Sequence, residues 1–237
     1  MLQLFATPDW FNGWDLVFDT VGLIIALLIA GYSWRIFKIN GENRFAYFSV
    51  AFLLVGISLI LKLLTSGILY YEPVRVAAAD VLRPSLGPGY KFSVLYYRAG
   101  FFAEMASMLG AWLLIFLVSQ KPRERLRKYY ELSQIALFVY LVLLISVVAN
   151  FEYTVFYLTS AVLLALITLN YYKSYLNNQN KNTFRVMLAF LLMLLANLFF
   201  VFVFAWEGFY FFGELVLLIG FLALLFTYTS VVARGKR

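Results

Sequence analysis

Long apolar runs separated by short polar, mostly basic turns make up nearly all of the chain. The apolar positions fill whole runs instead of marking one stripe. Each run is about 20 residues or longer, enough for a helix to cross a hydrocarbon core about 30 Å thick. Seven spans are expected, at about 15–38, 45–71, 94–119, 132–150, 153–176, 185–206 and 209–232. All five prolines (Pro8, Pro73, Pro84, Pro88 and Pro122) fall between or before these spans. That fits uninterrupted helices, because an interior proline removes a backbone hydrogen bond. The expected fold is all-α: one polytopic membrane domain over 1–237 with seven transmembrane helices.

Two of the runs match without a gap. Phe101 to Phe116 reads FFAEMASMLGAWLLIF and Phe211 to Phe226 reads FFGELVLLIGFLALLF. Glu104 falls on Glu214 and Gly110 on Gly220, and both residue types are scarce in such apolar stretches. The halves before them agree more weakly. A polar turn leads into AFLL at Ala51 to Leu54 in one and at Ala189 to Leu192 in the other. A parallel repeat is therefore expected, with 15–119 as the first copy, 132–150 as a linker helix and 153–232 as the second copy. The outer connection at 72–93 is an insertion in the first copy. Its VRVAAADVLR stretch is expected to form a short surface helix.

Composition sharpens this reading. Of the 237 residues, 64% are hydrophobic and 13% charged, against about 25% charged in average globular proteins. No Cys or His is present. Disulfides, thiolate metal sites and the usual haem and zinc ligands are thereby excluded. No metal, no cofactor and no enzymatic activity are expected. No removable signal peptide is apparent before the first apolar run.

The net charge of +7 is explained by its distribution. Arg35, Lys38 and Arg44, then Lys121, Arg123, Arg125, Arg127 and Lys128, then Lys173, Lys181 and Arg185, and finally Arg234, Lys236 and Arg237 all fall on one side of a seven-span chain. They are most of its 19 basic residues. Basic loops mark the cytoplasmic face, so the N-terminus is expected outside and the C-terminus inside, in the cell membrane. The basic excess implies contact with anionic lipid, not with nucleic acid. Tyr and Trp cluster at the expected interfaces. The run at 121–128 is the strongest cytoplasmic basic face and a candidate docking site for a protein partner.

Three ionisable residues fall deep within the spans: Lys62, Glu104 and Glu214. A charge at that depth costs about 2.5–3.5 kcal/mol or more on insertion scales, so it pairs or faces a polar cavity. Counting from the span ends puts all three in the outer half of the bilayer, where Lys62 is expected to pair with Glu104, Glu214 or both. Ser58, Lys62 and Ser66 lie on one helical stripe, as do Gly100, Glu104, Ser107 and Ala111. Asp15 and Asp19 mark the outer end of the first span, and Asn197 lies near the middle of the sixth. The candidate pocket for a small polar ligand, cation or proton is therefore Lys62, Glu104, Glu214, Ser58, Ser107, Asn197 and Asp19. The same charges can instead serve only to fix helix register.

The three-plus-one-plus-three arrangement resembles the seven-helix superfamily that includes SWEET proteins and microbial rhodopsins. In topology the resemblance spans the whole chain. It implies a binding site at the repeat interface. The last span has no lysine between its ends for a retinal Schiff base, and no Pro-Gln pair of the SWEET type occurs. The AYFSVAFLLVGISLILKLL run resembles small membrane proteins of prokaryotes and implies no function. The expected function is that of a receptor- or sensor-like membrane protein with an outer-half pocket. The alternatives are a small secondary transporter and a structural or assembly subunit of a membrane complex.

Overall fold

A computed structural model of the chain describes residues 8–11, 13–70, 72–74, 76–77, 92–120 and 153–234. It is all-helical over these residues. A short 3-10 helix, Asp9–Phe11, leads into α1 (Trp14–Asn40) and α2 (Asn43–Tyr70). These are followed by α3 (Phe92–Ser119), α4 (Tyr153–Asn178), α5 (Lys181–Val201) and α6 (Gly208–Arg234). Among the described residues, six helices are long and apolar enough to cross a membrane. They correspond to the expected spans one to three and five to seven. The expected span at 132–150 and most of the 72–93 connection lie outside the described residues. Residues 72–74 and 76–77 are helical.

The helices begin and end where the local chemistry requires. Gly41 takes the left-handed conformation (φ 68°) and its N–H donates to Phe37 O at 2.8 Å. This satisfies one of the carbonyls left open at a helix C-terminus. Asn180 caps α5, its side chain accepting from the Asn182 N–H at 2.9 Å. At the end of α4, Gln179 adopts a positive φ (44°) and donates to Tyr175 O at 2.7 Å.

The core is made where helices face each other, and the outward faces remain apolar. Leu27, Leu28, Ile57, Ile60, Val162, Leu166, Ile219, Leu222 and Phe226 are exposed. A water-soluble bundle would carry polar residues at such positions. Here they form the surface that meets lipid. Helix α2 is the most enclosed, 56% of its spanning window being buried, and it packs on both α1 and α3. Helix α5 likewise packs on α4 and α6, while α1 meets α6 and α3 meets α4. The last two pairs run in parallel. Asn170 near the end of α4 donates to Ser119 Oγ at the end of α3, at 2.9 Å, and the Phe101 and Tyr153 rings meet toward their beginnings, 4.3 Å apart.

Small residues set the closest approaches. Gly100 backs so tightly onto Thr65 Oγ1 that a Cβ has no room, as expected for its small-residue stripe. A Cβ at Gly220 would lie 3.0 Å from Met193 Cγ and 3.2 Å from the Ala189 carbonyl. Its sequence twin Gly110 has only Leu54 Cδ1 nearby, at 3.9 Å.

Candidate functional site

The deep charges converge, through a set of contacts only partly expected. Lys62 Nζ donates to Asp19 Oδ1 at 2.8 Å and to Glu214 Oε1 at 2.8 Å. Its side chain is 9% exposed, against 2% for Asp19 and 3% for Glu214. One ammonium from α2 therefore ties together α1 and α6, which also pack directly on each other. The long lysine stem carries the charge away from its own Cα. Asp19 is thus the partner that the counting of depths had not paired with Lys62.

Glu104 is buried but forms no ion pair among the described residues. It remains within electrostatic reach of Lys62, Asp19 and Glu214. Its Oε2 and the Oδ2 of Asp19 are buried without a hydrogen-bond partner. Ser58 is placed by the helix stripe, but its hydroxyl ties helices together. It donates to the backbone carbonyl of Glu104 at 3.0 Å, which fixes α2 against α3. Ser66 on the same stripe is also buried.

Two expected members stand apart. Asn197 is buried, but its amide donates to Met193 O on its own helix at 2.8 Å. Ser107 is only partly buried, and no described hydrogen bond joins it to the cluster. Asp15, one turn before Asp19, accepts from the Gly13 and Leu16 N–H groups at 3.1 and 2.9 Å. It satisfies the start of α1, so the two aspartates have different roles. The basic face of Lys121, Arg123, Arg125, Arg127 and Lys128 lies outside the described residues.

Aromatic rings enclose the cluster, and the sequence reading did not single them out. Lys62 Nζ lies 6.0 Å from the Tyr210 ring centroid, a cation–π distance. Tyr210 precedes Glu214 by one helical turn, so the spacing was a usable signal. Toward the start of α1, Phe11, 2% exposed, packs edge-on to Phe18, Tyr210 and Phe211. On the opposite side of the cluster Phe52 and Phe221 are buried against each other. A crevice of about 10 Å³ between α1 and α6 reaches Asp19 and Glu214. That is room for one water-sized occupant, far below the 300–1,000 Å³ of small-molecule pockets. Among the described residues, no three His, Cys, Asp or Glu side chains converge to hold a metal ion.

The arrangement can hold, share and release protons. Two carboxyl groups contact a single ammonium, a third lies within electrostatic reach, and all four groups are buried. If all were ionised, the cluster would carry excess negative charge that burial strongly disfavours. Comparison with known proteins gives no counterpart: no family model matches the chain, and no curated protein or solved structure matches it.

Proposed function

We propose that this chain is a non-enzymatic, sensor-like membrane protein that responds to protons through the Asp19–Lys62–Glu214–Glu104 cluster. The observation that carries the reading is the surplus of buried carboxyl oxygens over buried cations, with Asp19 Oδ2 and Glu104 Oε2 unpartnered. The cramped crevice favours a proton over an organic ligand. The ionisable groups around the site, among the described residues, are Asp15, Asp19, Lys62, Glu104, Tyr157, Tyr210 and Glu214.

The proposal includes seven spans in a parallel repeat, with the N-terminus outside. Seven spans require α3 and α4 to run the same way, and they do. Exchanging the halves preserves the helix neighbours: α1 on α2 matches α4 on α5, α2 on α3 matches α5 on α6, and α1 on α6 matches α4 on α3. One ungapped register carries Phe37 onto Tyr175, Gly41 onto Gln179 and the AFLL of α2 onto that of α5. The first two of these pairs form the same helix-ending bond. The same register carries Asp19 onto Tyr157 and Lys62 onto Phe200, whose rings stack 4.6 Å apart. In this reading one half holds the charge pair and the other an aromatic pair in its place.

The test is the thermal stability of the purified protein between pH 5 and pH 9, for the wild type and for Asp19→Asn with Glu104→Gln. A pH-dependent shift of the wild-type melting temperature that is lost in the double variant is expected. Identical profiles would leave the cluster a packing device and favour the structural-subunit alternative.

A further inference from the structure

A well-defined space lies at the opposite end of the described helices from the charge cluster. A cavity of about 380 Å³ opens among the ends of the helices that carry the basic turns. Every described spanning helix contributes: Ile36 from α1, Arg44 from α2, Ser119 from α3, Tyr171 from α4, Asn182 from α5 and Tyr228 from α6. The volume falls within the range of small-molecule sites. Phe48 lies between this cavity and the cluster, stacked on both Phe52 and Tyr228. The two sites are therefore separate.

The lining has a definite chemistry. Among the described residues, Arg44 is the one charged residue that lines it, and no carboxylate does. Hydroxyls and carboxamides supply hydrogen bonds in both directions. Tyr171 and Tyr228 supply flat walls, held by stacking on Phe190 and Phe48. Arg44 also lies within electrostatic reach of both tyrosines. In the structure its guanidinium donates to Glu42 Oε2 at 2.6 Å, with both side chains well exposed. Exposed pairs of this kind are weak, so Glu42 holds the guanidinium without committing it.

We propose that this cavity binds a small organic anion carrying a flat ring, with Arg44 as the charge partner and Tyr171 and Tyr228 flanking the ring. A soluble molecule is the source of such an anion; an anionic lipid headgroup carries no flat ring and could fill only the charged part of the site. The site is independent of proton uptake by the outer cluster.

The experiment uses the full chain in phosphatidylcholine nanodiscs and titrates paired probes by calorimetry: adenosine 5′-monophosphate against adenosine, and indole-3-carboxylate against indole. In at least one pair the anion should bind at least about ten-fold more tightly than its neutral partner, the scale of one hydrogen bond to a charged group. Arg44→Gln should remove that preference. Glu42→Gln should tighten anion binding by about two-fold or more, the scale of an exposed ion pair. Arg185→Gln should leave binding within about two-fold of wild type, because Arg185 packs over Phe226 outside the cavity. Loss of probe binding when phosphatidylglycerol is added to the discs would make a lipid headgroup the occupant and overturn the flat-ring ligand. Undiminished binding would identify a soluble anion. Failure of both anions to bind in phosphatidylcholine, or an equal effect of Arg44→Gln and Arg185→Gln, would overturn the proposal.

Discussion

Replacing Lys62 with Met tests most directly whether the charge cluster holds the bundle together. The substitution keeps the stem but removes the only ammonium between Asp19 and Glu214. Each contact is 2.8 Å long. At an effective dielectric near 20, a charge pair at that separation attracts by about 6 kcal/mol before desolvation is counted. Desolvation and repulsion between the two acids offset much of this, so the gross figure is not the expected loss. Removing one partner of a buried pair costs about 3–5 kcal/mol, because the other is left uncompensated. Proton uptake by the stranded acids limits the loss to the lower part of that range at neutral pH. The assay is reversible unfolding in mixed detergent micelles, comparing Lys62→Met with the triple variant Lys62→Met, Asp19→Asn, Glu214→Gln. The triple variant should recover most of the stability, since a neutral, well-packed replacement of a buried ion pair is often tolerated. A single variant within about 1 kcal/mol of wild type, or a triple variant no better than the single, would refute this account of the cluster.

Other substitutions separate residues that look alike in the sequence. Glu104→Gln should change unfolding stability by less than about 1 kcal/mol, because no ion pair is lost, whereas Glu214→Gln breaks one of the two contacts to Lys62 and should cost more. Gly220→Ala should cost about 1–3 kcal/mol through overpacking against Met193 and the Ala189 carbonyl, while Gly110→Ala should be nearly neutral by the same measurement. Gln179→Gly should raise the melting temperature, relieving up to about 1 kcal/mol of left-handed backbone strain at the end of α4.

Much of this structure is legible in the chain because the bilayer sets such strict conditions on it. Run length alone locates the six described helices, and the placement of every proline outside the predicted spans agrees with their continuity. The burial of Lys62, Glu104 and Glu214 follows from their depth. Their pairing does not. Depth counted along the backbone ignores the reach of a lysine stem, and so it does not reveal that Asp19 is as close a partner as Glu214. Glu104 and Glu214 are twins in sequence, but their helices lie on different sides of α2, and only Glu214 reaches the ammonium. Ser58 could be placed on the right stripe, but a stripe does not show that its hydroxyl would choose a neighbour's carbonyl. Asn197 was misread for a related reason: its amide is satisfied by the preceding turn of its own helix. The inner cavity left no local signature. Its polar groups come from the ends of different helices, and each looks like an ordinary interfacial residue until the ends are brought together.

The two ion pairs of Lys62 also order events during synthesis. Asp19 and Lys62 are 43 residues apart and belong to one helical hairpin, whereas Glu214 follows Lys62 by 152 residues. At about 5–20 residues per second, roughly 10–30 s separates the emergence of Lys62 from that of Glu214. Throughout that interval Asp19 is the acid that can accompany the lysine into the membrane as a pair. The first hairpin can therefore insert with its charge already matched. Helix α6 then delivers Glu214 to an ammonium that is already in place, so the contact between α1 and α6 closes only after the α1–α2 hairpin has formed.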